Sequence, residues 1–180
     1  MIKDKNKKNA FTLIELLVSI GLFATTIGAV FSVFLFGIRQ QRIMLNREIA
    51  TDQTSFVLEY LGRALRMAKK DVSGSCLSQP GLNYEIPSPG RLRFINVLEG
   101  DDCQEIFLNN KQLKIYKSRE GETYELTSSK IEVSYLNFSL SGENQTDKLQ
   151  PRVTISFEIK EKSGSSLKIQ TSISQRNLDI

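Results

Sequence analysis

The sequence predicts an α+β protein in which one long N-terminal helix lies across an antiparallel β-sheet. Three patterns predict it. Residues 11–38 form an apolar run whose single ionisable side chain is Glu15. Residues 39–70 continue with helical spacing and no proline. Residues 71–180 then break into short alternating segments divided by turn residues. Of the 180 residues, about 140 remain after the N-terminal segment and the apolar run, enough for one hydrophobic core.

The apolar run, FTLIELLVSIGLFATTIGAVFSVFLFGI, exceeds the roughly 20 residues needed to cross a bilayer at 1.5 Å rise per residue. Gly21, Gly28 and Gly37 are tolerated in membrane helices and permit close helix contact. Glu15 stands out. A carboxylate inside a membrane costs about 2.5–3.5 kcal/mol on insertion scales and by default marks function. Upstream, MIKDKNKKNA is a polar, basic leader. A cleaved secretory signal carries its small-residue site after the apolar stretch; here the small residue, Ala10, precedes it. Cutting after Ala10 would retain the helix and make Phe11 the first residue. The new amine would then lie one helical turn from Glu15, where low dielectric strengthens an ion pair and penalises an unpaired charge.

These residues carry a family resemblance. KKNA followed by FTLIELLVSIGLF resembles the prepilin leader and N-terminal methylation motif of type IV pilins and type II secretion pseudopilins. The resemblance implies a pilin-like fold, cleavage between Ala10 and Phe11 by prepilin peptidase, and N-methylation of Phe11. It implies that Glu15 meets the N-terminal amine of a neighbouring subunit during assembly. The implied partners are other pilin or pseudopilin subunits, an inner-membrane assembly platform and membrane lipid. Thr12, Leu13, Ile14, Leu16 and Leu17 fit the motif. Ala10 departs from it, because glycine is usual before the cut. The helix-breaking proline usual further along is also absent, with Ser32 near its place, so any bend would fall to the glycines. The implied location is a single pass through the cytoplasmic (inner) membrane with the C-terminal domain outside, followed by entry into a pilus or pseudopilus. Charge alone orients the span weakly, since Arg39, Arg42 and Arg47 oppose the leader lysines.

The helix is expected to continue over 39–70. Ile49, Gln53, Phe56, Val57, Tyr60, Leu61, Ala64, Leu65 and Ala68 recur at i, i+3, i+4 spacing, with most charges off that stripe. The stripe predicts cover for a domain; a partner-helix surface is the alternative. The whole helix would run about 85 Å if straight. DVSGSC at 71–76 ends it with small and turn-forming residues. This divides the chain into a leader (1–10), a membrane and assembly half-helix (11–38), an amphipathic half-helix (39–70) and an extracytoplasmic β-rich domain (71–180).

Within 71–180, residues 77–90 read as a loop rich in proline and glycine. Candidate strands follow at Arg91–Leu98, Glu105–Leu108, Gln112–Lys117, Thr123–Thr127, Ile131–Leu140, Arg152–Lys160 and Leu167–Gln175. Val153, Ile155, Phe157 and Ile159 alternate most clearly. Asn109-Asn110 and Ser163-Gly164-Ser165 supply candidate turns. The extended β region, the helix segment LEYLGRALRMAKK and the ending TSISQRN resemble the larger minor pseudopilins of J type near the filament tip.

Cys76 and Cys103 are the only cysteines, and both fall outside the predicted strands. An exported domain can keep a disulfide, and joining them would stabilise by roughly 3–4 kcal/mol in the chain-entropy model. Two free thiols are the alternative. The chain contains no histidine, so Ser-His-Asp, Cys-His and His-based metal centres are excluded, and no cofactor or metal is expected. Glu99, Asp101, Asp102 and Glu105 cluster in a predicted loop. Without the spacing of a calcium loop they read as solvated carboxylates. Arg63, Arg66, Lys69 and Lys70 form a basic helix end that complements the helix dipole. The formal charge is +4; four leader lysines less one aspartate supply most of it, so basicity gives no argument for nucleic-acid binding. Two functions follow: a structural assembly subunit, a minor member of a filament, or a signal-anchored binding domain or enzyme that uses the helix only as a tether. The first is favoured, and no enzymatic activity is expected.

Overall fold

The computed structural model describes residues 12–143, 149–160 and 166–176. The chain divides into two units, Met1–Met44 and Leu45–Ile180. Helix α1 spans Leu13–Arg66 without interruption, so it runs through the boundary between them.

In the first unit the apolar side chains of α1 are exposed, Leu13, Ile14, Phe23 and Phe34 among them. Its polar side chains turn back onto the helix. Ser19 Oγ donates to Glu15 O at 2.7 Å, Thr25 Oγ1 to Leu22 O at 2.9 Å and Ser32 Oγ to Ala29 O at 2.8 Å. Thr26 also donates to Leu22 O. Each hydroxyl thus has a partner that does not depend on water, a requirement for backbone and side chain alike within lipid. Among the described residues, α1 is the one helix long and apolar enough to cross a membrane.

In the second unit α1 buries Ala50, Thr54, Val57, Leu61, Ala64 and Leu65, spaced by three and four residues on one face. The predicted stripe sits slightly off this face. Phe56 is exposed and stacks on Tyr60 with ring centroids 6.4 Å apart, while Ala50 and Thr54 lie in the interior. Thr54 is accommodated because its hydroxyl donates to Ala50 O at 2.7 Å.

Among the described residues nine strands follow α1: β1 Ala68–Lys69, β2 Tyr84–Glu85, β3 Arg91–Asn96, β4 Asp102–Asn109, β5 Gln112–Lys117, β6 Glu122–Glu125, β7 Glu132–Ser141, β8 Arg152–Lys160 and β9 Ser166–Ser174. All pairings are antiparallel. They form two sheets: β1-β3-β4-β5-β6, with β2 also pairing β3, and β7-β8-β9. Leu92, Phe94, Ile106, Leu113 and Ile115 from the first sheet join Val153, Ile155, Phe157 and Ile159 from the second in one buried cluster with the inner face of α1. The α+β class holds, with the strands divided between two sheets.

Several boundaries move for identifiable reasons. The helix ends at Arg66, not Lys70, because Ala68 and Lys69 pair with Asn96 and Ile95 of β3. Strand β3 stops at Asn96, whose side chain accepts from Leu98 N at 3.0 Å and caps a 3₁₀ turn over Val97–Glu99. The β4–β5 hairpin turns at Asn110 and Lys111, both with positive φ, one residue later than the Asn109-Asn110 reading. That geometry is the mirror-image turn that matches strand twist. The Ser163-Gly164-Ser165 turn lies outside the described residues.

The end of α1 is fixed by donors from elsewhere. Tyr84 Oη donates to Leu65 O at 2.6 Å, Arg176 N to Arg66 O at 2.8 Å, Val97 N to Met67 O at 3.2 Å and Gln175 Nε2 to Ala68 O at 2.7 Å. Carbonyls at a helix end lack intrahelical partners and must find others; here four consecutive ones do.

Beyond β1, the buried carboxylate of Asp71 organises the following loop. It accepts from the backbone N–H of Ser75, Cys76 and Leu77 and from the Ser73 hydroxyl. Burial opposes its charge, but the N–H groups of Leu77, Cys76 and Ser75 and the Ser73 hydroxyl outweigh it and hold the carboxyl far below the usual range. A depressed folded-state pKa stabilises above the unfolded value, and that contribution is lost as pH falls below it. Asp71→Asn is therefore expected to cost about 2–3 kcal/mol at neutral pH. In denaturant unfolding of the full-length protein, the gap from wild type should narrow as pH drops below about 4.

Candidate assembly site

Glu15 lies in the first turn of α1, three residues after Thr12. Thr12 Oγ1 accepts from Glu15 N at 3.4 Å, and Glu15 Oε2 accepts from Thr12 N at 3.1 Å. This reciprocal arrangement is a capping box, Thr at the cap and Glu at the third helical position. The Thr12 hydroxyl also donates to Glu15 Oε2 at 3.1 Å. The acid therefore has a structural task in its own chain: it occupies donors that the helix start would otherwise leave unmet. Its negative charge also faces the positive end of the helix dipole. The signal was present in the sequence as T-L-I-E before an apolar run. Hydropathy alone points to Glu15 as the partner of a terminal amine and leaves its role as a cap unseen.

Both bonds to the carboxylate end on Oε2. Among the described residues Oε1 accepts nothing, and a carboxylate can accept several bonds. Ala10 and Phe11, the predicted processing residues, lie outside the described residues.

The remaining candidates resolve differently. Cys76 and Cys103 are joined in a disulfide with Cα atoms 5.6 Å apart. It ties the Asp71-ordered loop to β4, and Cys103 lies within that strand and not in a loop.

The acidic cluster is not a solvated loop. Asp102 and Glu105 are largely buried in β4. Asp102 accepts from Arg119 N at 2.7 Å and from Gln104 Nε2 at 3.3 Å. Glu105 pairs with Arg93, at 2.7 Å, and with Arg91. Burial works against its charge, but bonds from Arg93 and Arg91 prevail and lower its carboxyl below the usual range. Glu99 pairs with Lys117, and Asp101 with Lys69 at 2.5 Å. Gln104 Nε2 also donates to Glu99 at 2.8 Å, so Glu99 and Asp102 share a donor, while Glu105, three residues after Asp102 in β4, faces the other side of the strand. Among the described residues no group of three or more acidic, Cys or His side chains could hold a metal ion.

Residues 5–36 match a family model described as the prokaryotic N-terminal methylation motif. No curated protein and no solved structure matches the chain. An apolar N-terminal helix that carries this motif and leads into antiparallel sheets defines a membrane-anchored, single-pass protein with a prepilin-type start. Over those residues the match supports the resemblance to type IV pilins and pseudopilins. The motif covers the start of the chain; the β domain stands on its own geometry.

Removing the cap tests the site. Thr12→Val is expected to cost the helix start about 1 kcal/mol. Amide exchange over residues 13–16 in detergent micelles should rise roughly fivefold, while Thr12→Ser leaves it near wild type.

Proposed function

We propose that this protein is a structural subunit of a type IV pilus or type II secretion pseudopilus, incorporated as a minor component. Prepilin peptidase cleaves between Ala10 and Phe11, Phe11 is N-methylated, and the β domain is exported. The apolar half of α1 then moves from lipid into the centre of the filament. The observation that carries this reading is the methylation motif over residues 5–36, with Glu15 at its acidic position. The size of the β region favours a minor subunit.

In this role Glu15 selects register more than it adds stability. A carboxylate in an apolar bundle is costly when unpaired. A neighbour shifted out of register would leave that charge without a cation, and the correct register supplies the amine of Phe11. The tether reading, in which an exported domain works alone, requires Glu15 to be dispensable.

Two measurements test this function. Mass spectrometry of the membrane protein from cells with active prepilin peptidase should find a mature chain beginning at Phe11 and heavier by one methyl group. A chain beginning at Met1 in such cells is the contrary result. Glu15→Val should leave the amount in membranes unchanged or increased and reduce recovery in sheared filaments at least tenfold. Wild-type recovery of that variant would favour the tether.

A further inference from the structure

The basic end of α1 is only partly explained by helix stability. Lys69 is paired with Asp101, as Lys111, Lys114 and Lys117 are paired with glutamates. Arg63 reaches Glu59 at 3.8 Å, with both side chains largely exposed. Arg66 and Arg176 are different. Both are exposed, and neither side chain has a partner among the described residues. They are 110 positions apart in sequence, yet the bond from Arg176 N to Arg66 O at 2.8 Å fixes them side by side. That bond, with Gln175 Nε2 on Ala68 O, already satisfies the helix-end carbonyls that basic side chains commonly serve. Two cationic residues are thus held next to each other along the backbone with no counter-charge among the described residues, an arrangement that attracts an anion.

Arg63, Arg66 and Arg176 line a cleft of about 510 Å³ together with Met67, Leu98 and Ser174. Leu98 is 59% exposed. A further cation, Arg152, bonds the rim residue Ser174 through Nε at 3.2 Å. Guanidinium groups bind carboxylates in planar, two-point fashion. An apolar floor of Leu98 and Met67 suits the aliphatic stem of a protein side chain, and it would desolvate the pair.

We propose that this cleft receives an acidic segment of the adjacent subunit in the filament, whose carboxylates engage Arg66 and Arg176 while its apolar neighbours cover Leu98. The inference rests on the proposed filament role. It adds a contact between exported domains to the contact made by the apolar helices, and it gives that contact a sign: basic on this chain, acidic on its neighbour.

The test uses the full-length protein in cells that form filaments. R66E/R176E should reach the membrane at wild-type level, lose its leader normally and resist protease as wild type does. The structural bond between the two positions uses only backbone atoms, so it survives the substitutions. Recovery of the variant in sheared filaments should fall at least tenfold, and R66K/R176K, which keeps the charge, should stay within threefold of wild type. Should the reversal variant fail to accumulate, R66Q/R176Q carries the same expectation of lost recovery. Wild-type recovery of either the glutamate or the glutamine variant overturns the contact. Wild-type recovery combined with lost retention on duplex DNA overturns it in favour of a nucleic-acid site. Absence of the wild-type protein from filaments overturns the proposed function, and the contact with it; presence of wild type and double variant alike overturns the contact alone.

Discussion

Four consecutive carbonyls running from the last turn of α1 into β1 fix where the helix end sits in its domain. Those of Leu65, Arg66, Met67 and Ala68 are taken by Tyr84, Arg176, Val97 and Gln175. The donors come from β2, from the residues just after β9 and from the start of the 3₁₀ turn after β3. Each bond is worth only about 1 kcal/mol net, but losing one would leave a polar group to be solvated or stranded, which costs more. The arrangement therefore penalises any other placement of the helix end more than it rewards this one. It also leads straight into the first sheet: β1 begins two residues after the helix stops and pairs at once with β3.

The opposite end of the helix solves the same problem with local means. Thr12 and Glu15 exchange bonds across the first turn, and hydroxyls further along bond the helix backbone. No long-range partner is needed. One helix thus has a start capped from within its own first turn and an end that takes tertiary donors. The physical difference lies in the solvent. In water an unmet N–H or carbonyl can find a hydrogen bond, whereas in hydrocarbon it cannot.

The sequence made the elements legible where a pattern repeats. Gln112–Lys117 and Arg152–Lys160 match β5 and β8 residue for residue, since alternation over six or more residues leaves little freedom of register. It failed where two or three residues are recruited by a neighbour. Ala68-Lys69 and Tyr84-Glu85 have no periodicity to read; β3 defines them as strands. Asp102 and Cys103 looked like loop residues because carboxylates and turn formers surround them. Pairing with Asn96 and Ile95 extends β4 through them. The split into two sheets was equally hidden, because nothing local distinguishes a strand that pairs with one sheet from a strand that pairs with the other. At the candidate site, the position of Glu15 was legible from hydropathy, but its bond to Thr12 was missed by asking only what external cation it could meet.

That bond changes the energetics of the acid. A lone carboxylate in a membrane would be expelled toward the interface or protonated. Held by the Thr12 N–H and hydroxyl at 3.1 Å each, Glu15 has part of its desolvation offset before any neighbour arrives. The offset falls on one oxygen and is neutral donor to charged acceptor, so a full opposite charge still adds to it. In the proposed role this divides the work between the two carboxylate oxygens. Oε2 keeps the acid at a fixed place on the first turn, and Oε1 can accept from an arriving ammonium without dismantling the cap. Register selection then needs no rearrangement of the helix start, because the side chain that tests the neighbour is held in position by the helix it begins.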